Sequence, residues 1–127
     1  MAHIHQEIQL PAPPQRVFDA LLQSAQFSKM TGAPAEIDPR DGGSFSCFGG
    51  MITGRNVELV PGQRVVQAWR AGNWAPGVYS LARFELAAEG SGTRIVFDHT
   101  GFPGADAAHL EAGWEANYWK PLRESLA

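Results

Sequence analysis

The 127-residue chain contains one cysteine, Cys47. A single thiol excludes an internal disulfide and any zinc site built on cysteine pairs, and it is the cysteine usage of a reducing compartment. No segment reaches the run of about 20 apolar residues that a membrane-spanning helix needs. Met1 to Leu10 holds neither a basic leader nor an apolar run before Pro11, so no secretory signal is expected and a soluble, cytoplasmic protein is. Positive charge is scarce: 10 Lys and Arg stand against 13 Asp and Glu, a net charge of −3. Scattered cations on an acidic chain do not make a phosphate-tracking surface, so nucleic acid is not an expected partner. Repeats, low-complexity tracts and linkers are missing too, and the length fits one domain spanning residues 1–127.

Signature motifs are equally sparse. Asp41-Gly42-Gly43-Ser44-Phe45 leads into a strand and has no lysine after it, unlike a phosphate-binding loop. There is no Gly-x-Ser-x-Gly elbow, and Cys47 has no evident histidine partner. His3, His5 and Glu7 share one strand face at metal-ligand spacing, but no further ligands cluster with them, so solvated decoration is the expectation. Neither a catalytic set, a metal centre nor a cofactor site is predicted.

What the chain does have is turns: 14 Gly and 9 Pro. Ile4, Ile8 and Leu10 alternate with His3, His5, Glu7 and Gln9, the period of a half-buried strand. Pro13 or Pro14 then suits the first turn of a helix whose buried stripe is Val17, Phe18, Leu21 and Leu22, and a shorter helical turn follows around Ala25 to Phe27. Between glycine-rich punctuation, the spacing predicts strands near Ala35 to Asp38, Ser44 to Phe48, Met51 to Val60, Arg64 to Arg70, Val78 to Ala87 and Thr93 to Thr100. With the first strand these form an antiparallel meander of about seven strands in an α+β arrangement. Alternation turns Val65, Gln67, Trp69, Ala82, Phe84, Leu86, Ile95, Phe97 and His99 inward.

The last segment changes period. Leu110, Trp114, Tyr118, Leu122 and Leu126 recur every fourth residue and form a slowly drifting stripe on a long amphipathic helix. Pro121 lacks the amide hydrogen that would reach Asn117, so a bend is expected there. Glu111 and Glu115 fall inside the apolar arc, either overhanging the sheet edge or facing a cavity; the high cost of a buried, unpaired acid favours overhang. A curved sheet gripping an aromatic helix leaves room for a ligand. Its wall is predicted from Trp69, Phe84, Phe97, Trp114 and Tyr118, with Gln67, His99, Glu111 or Glu115 as polar groups, although each ring taken alone would serve equally as core. His99 is either a base or ligand donor paired with Glu111 or Glu115, or a structural residue fixing the corner before Gly101-Phe102-Pro103. A lone histidine without a nucleophile motif favours the structural role. Trp74, in the loop Ala71 to Gly77, is a lid, an exposed contact residue or a ring folded back over the sheet end.

Several pieces together carry a resemblance: Leu10-Pro11-Ala12-Pro13-Pro14-Gln15-Arg16-Val17-Phe18-Asp19-Ala20-Leu21, then Gly54-Arg55-Asn56-Val57-Glu58-Leu59-Val60-Pro61 running into Arg64 and Trp69-Arg70. Gly92-Thr93-Arg94, His99-Thr100-Gly101, Gly113-Trp114 and Tyr118-Trp119-Lys120-Pro121-Leu122 complete it. In this order they resemble the activator of heat-shock-protein-90 ATPase homologue-like family, within the START-like or SRPBCC superfamily. The resemblance implies a helix-grip fold, with the curved sheet wrapped around the C-terminal helix, a cavity between them and two short helices after the first strand. It transfers no catalytic set, and the superfamily's functions range from lipid carriers to cyclases and a co-chaperone domain. The expected function is therefore non-catalytic binding of a small hydrophobic or amphipathic molecule. Its alternatives are an interaction module that contacts a chaperone or a second copy of itself, and a cyclase or hydrolase using His99 with Glu111 or Glu115.

Overall fold

The computed structural model describes residues 3–127. Strand β1 (His3–Leu10) buries Ile4, Ile8 and Leu10 and is followed by helix α1 (Pro14–Leu22), which starts with Pro14 where a missing amide hydrogen is harmless. Helix α2 (Ser24–Thr31) is longer than the single turn its sequence suggests, and Gly32 ends it in the left-handed conformation at φ 73°. Six strands follow: β2 (Ala35–Ile37), β3 (Ser44–Cys47), β4 (Ile52–Val60), β5 (Arg64–Ala71), β6 (Ser80–Glu89) and β7 (Gly92–Thr100). Strand β6 starts two residues later than the sequence pattern suggests, leaving Val78 and Tyr79 in the preceding loop. All neighbours pair antiparallel in the order β1-β7-β6-β5-β4-β3-β2.

Two sequence features bend the sheet around its contents. Gly54, in β4 opposite Trp69, has no room for a side chain: a Cβ would lie 1.9 Å from the Ala68 carbonyl oxygen and 2.7 Å from the Phe45 ring. Two residues on, the ladder slips between Asn56 and Glu58, so that Val57 bulges outward while Asn56 is fully buried. Its side chain donates to the Asp38 carbonyl (2.9 Å) and accepts from the Gln67 amide (3.1 Å).

The C-terminal helix consists of α3 (Ala107–Trp114), a π-helical turn (Glu115–Trp119) and α4 (Lys120–Leu126). The bend expected at Pro121 takes the form of this wide turn, in which the Lys120 amide donates to the Glu115 carbonyl five residues back. The proline leaves the Asn117 carbonyl without its usual donor, and widening the preceding turn accommodates that loss. The widened turn brings two successive residues inward, so Tyr118 and Trp119 are both buried, at 5% and 1% exposure. A uniform 100° wheel leaves Trp119 off the stripe, which is why it is missing from the wall predicted by sequence.

Candidate functional site

Trp114 is the hub of the interior. Its ring centroid lies 4.4 Å from Phe97, 4.4 Å from Tyr118, 5.2 Å from Trp69, 5.8 Å from Phe84 and 5.9 Å from Trp119, the last nearly parallel at 22°. The rings predicted from opposite walls thus do meet, but they divide into two zones. On the sealed side, Phe84, Phe97 and Trp119 pack ring against ring, and the Trp119 indole donates to the Gln6 side-chain oxygen at 2.7 Å. The hollow beside Gln67, Phe84, Cys47 and Tyr118 measures only about 10 Å³, room for one water molecule at most and none for a ligand, and Gln67 spends its amide on Asn56.

On the other side the interior opens. A groove of about 450 Å³ runs between the first half of the C-terminal helix and the sheet end, bounded by Trp69, Trp114 and Tyr118 within and by Trp74, Phe48 and Leu110 nearer the mouth. Trp74 is folded back, 7% exposed, and its indole donates to Asp106 at 2.8 Å, tying the loop between β5 and β6 to the start of the helix. Phe48 holds the opposite lip in a left-handed conformation at φ 55°, uncommon for a bulky residue, and packs edge-on to Tyr118 (5.9 Å) and Phe27 (5.7 Å). Gly113 contributes open space: a Cβ there would meet nothing closer than the Asn117 amide at 3.8 Å.

Polar chemistry in this zone is limited and specific. The Trp69 indole nitrogen is the only buried side-chain polar atom among the described residues without a hydrogen-bond partner. Burial raises the Tyr118 phenol far above its usual range, the Cys47 thiol adding to this; the Trp69 indole faces the same phenol and opposes the rise, but falls short of hydrogen-bond geometry with it. Burial likewise pushes the Cys47 thiol up to about 12, so it is neither a nucleophile nor a base at physiological pH.

His99 is completely buried, and burial lowers its pKa to about 4. Trp114 Nε1, a donor only, points at His99 Nδ1 (3.1 Å), so the neutral ring carries its proton on Nε2 and donates to Ser80 Oγ (2.7 Å). Ser80 in turn donates to the Trp69 carbonyl at 2.9 Å. The chain of donors therefore runs away from the imidazole towards the backbone, the reverse of a histidine that takes a proton from serine. Both imidazole nitrogens are thus held by internal side chains, Ser80 and Trp114.

The expected pairing of His99 with Glu111 or Glu115 is not formed. Both ring nitrogens of His99 are occupied, and both glutamates are exposed, Glu115 in an ion pair with Arg123. The overhang argued from burial cost is what the helix adopts. His3 and His5 likewise lie on the outer face, both bonded to Asp98 (2.9 and 2.8 Å), and no group of three metal-ligating side chains gathers among the described residues. Among those same residues, no helix is long and apolar enough to cross a membrane. Sequence reasoning missed Phe48, Asp106 and Gly113 as parts of the groove. The glycine run Gly49-Gly50 after Phe48 and the acid just ahead of the helical stripe were the available signals.

The comparisons with known proteins agree with this architecture. A relative from Dictyostelium discoideum, described as an activator of 90 kDa heat shock protein ATPase homolog, is 31% identical over 115 residues, covering 90% of this chain and 30% of its own. The chain spans about a third of the length of the curated relatives it matches. The crystal structure of an HSP90 activator from Plasmodium falciparum superposes with a TM-score of 0.87 at 24% identity, covering 93% of this chain and 91% of that one. The solution structure of an Aha1 dimer from Colwellia psychrerythraea gives 0.83 at 21%, covering 99% and 96%. At these identities the two structures speak for the helix-grip fold alone. The family described as Activator of Hsp90 ATPase homolog 1-like protein matches residues 11–127, nearly the whole helix-grip unit, and the chain belongs to that family.

Proposed function

We propose that the protein is a non-catalytic binder of a small hydrophobic or amphipathic molecule, held in the groove between Trp69, Trp114 and Tyr118. The observation that carries this reading is an open, aromatic-walled space of about 450 Å³ beside a buried indole donor with no acceptor. An unsatisfied buried donor costs about 1–3 kcal/mol, and a ligand bringing a carbonyl or ether oxygen between Trp69 and Tyr118 would offset that cost. Flat apolar molecules with one such acceptor fit best, because the walls are ring faces. Phe84, Phe97, Gln67 and His99 support the wall from behind, whereas Glu111 and Glu115 take no part. A single unit of residues 1–127 working in the cytoplasm completes the reading, consistent with its one buried cysteine.

Tryptophan fluorescence and thermal-shift titration against a panel of lipophilic compounds test the proposal, with Gly113→Leu as the blocking variant. Binding by the native protein and its loss in that variant is the expected result. Absence of any response across the panel, or an unchanged response after the groove is filled, refutes it.

A second reading is favoured by the family itself: contact with a chaperone of the kind its relatives are described as activating. Stimulation of purified Hsp90 ATPase by this chain distinguishes that role, since a pure ligand carrier gives none. Self-association, as the Colwellia protein's dimer suggests, is read by sedimentation equilibrium.

A further inference from the structure

A second cleft, of about 750 Å³, lies between α1, α2 and α4 and shares no residue with the groove. Its floor is apolar, formed by Ala20, Met30, Pro121 and Leu126, and its rim carries Arg16, Lys29 and Lys120, all exposed. The chain has only two lysines, and both stand on this rim.

The rest of the positive charge is committed elsewhere. Arg40, Arg64, Arg83, Arg94 and Arg123 are in ion pairs, and Arg55 and Arg70 donate to backbone carbonyls. Arg16, Lys29 and Lys120 make no ion pair or side-chain hydrogen bond among the described residues. The one carboxylate on the rim, Glu124, sits four residues from Lys120 on the same helix without pairing to it. Arg16 lies in the first turn of α1, which contains no acidic residue. A cation at that helix end adds to the positive field of the unpaired amides instead of relieving it. Three cations that make neither an ion pair nor a side-chain hydrogen bond among the described residues thus surround one apolar depression, a field that a ligand of opposite sign would complete.

We propose that this cleft docks an acidic, amphipathic peptide segment of a partner protein, with carboxylates set against Arg16, Lys29 and Lys120 and an apolar side chain on the Ala20–Met30–Leu126 floor. An apolar floor calls for a partner that carries apolar and acidic groups together. A short segment meets only this local field, whereas a nucleic acid or an anionic membrane would extend over the rest of a surface whose net charge is −3.

The test is selection of binders from a random dodecapeptide display library, followed by fluorescence anisotropy with the recovered peptides. The expected result is enrichment of Asp and Glu interleaved with Leu, Ile or Phe, affinity that falls with added salt, and binding weaker by about tenfold or more in the Lys29→Glu/Lys120→Glu variant. Lys120→Arg keeps the charge and should keep the affinity. Both substituted positions are exposed, so circular dichroism and melting temperature should match the native protein, and the groove ligand titration should not change. Recovered peptides without acidic enrichment, equal binding by the charge-reversed variant, or phosphatidylserine vesicles bound in place of the peptides would each overturn the proposal.

Discussion

Acid should weaken this fold through one residue before any carboxylate is reached. His99 sits at pKa about 4 in the native state against 6.5 in an exposed chain, because burial disfavours the imidazolium. A proton on Nδ1 would also confront the Trp114 indole N–H, donor against donor across 3.1 Å. Above pH 6.5 neither the folded nor the unfolded state holds that proton, and the stability contribution is complete. As pH falls below 6.5 the unfolded chain takes up the proton while the native one refuses it until about 4, so stability is lost across that window and no further below it. The gap, at 1.36 kcal/mol per pH unit, comes to about 3 kcal/mol, a large part of the roughly 5–15 kcal/mol typical of a domain. Asp38, Glu85 and Asp98 are held below their ordinary 3.8, 4.5 and 3.8, so their losses set in as pH falls past those values and leave the range from pH 7 to 5 to His99. Urea unfolding followed by circular dichroism at pH 7, 6 and 5 measures the slope, and His99→Gln should abolish it even if its stability at pH 7 is lower. A flat profile in the native protein, or an equal slope in the variant, would refute the buried neutral imidazole.

Three further outcomes follow from the packing. Gly54→Ala forces a methyl to within 1.9 Å of a backbone oxygen that no rotamer change can move, so it should cost about 3 kcal/mol or more in chemical denaturation. Cys47, 3% exposed with its thiol raised to about 12, should react with Ellman's reagent at pH 8 only as fast as the protein opens, and at once in urea. Asp106→Ala removes the acceptor of the Trp74 indole; the melting temperature should drop modestly, by the equivalent of about 1–2 kcal/mol, while acrylamide quenching of the tryptophan emission rises as the loop comes free.

The strands were legible because alternation is a strong signal wherever one face is buried: Phe84, Phe97 and Trp69 are inward as the period of two requires. The terminal helix was legible from its fourth-residue stripe, all five members of which are buried. A hydrophobic wheel assumes a constant turn, and the wide turn ahead of Pro121 brings one further residue inward, which is how Trp119 escaped notice. For the candidate site, sequence named the rings but could not tell a ring that lines space from one that fills it. Phe84 and Trp69 alternate identically on neighbouring strands, yet only Trp69 borders the opening, because Trp119 and Phe97 occupy the volume beside Phe84. Gly113 was unreadable for the opposite reason: its contribution is the atoms it lacks.

The π-helical turn gives adjacent positions separate tasks. Tyr118 belongs to the changeable end of the interior and Trp119 to the anchored end, so substitutions that retune one need not loosen the other. A chain built this way can diverge in what it accommodates while its keystone stays put, and a designer could vary positions 110, 113 and 117 as a cassette, leaving Trp114 and the stretch from 119 onward to hold the sheet closed.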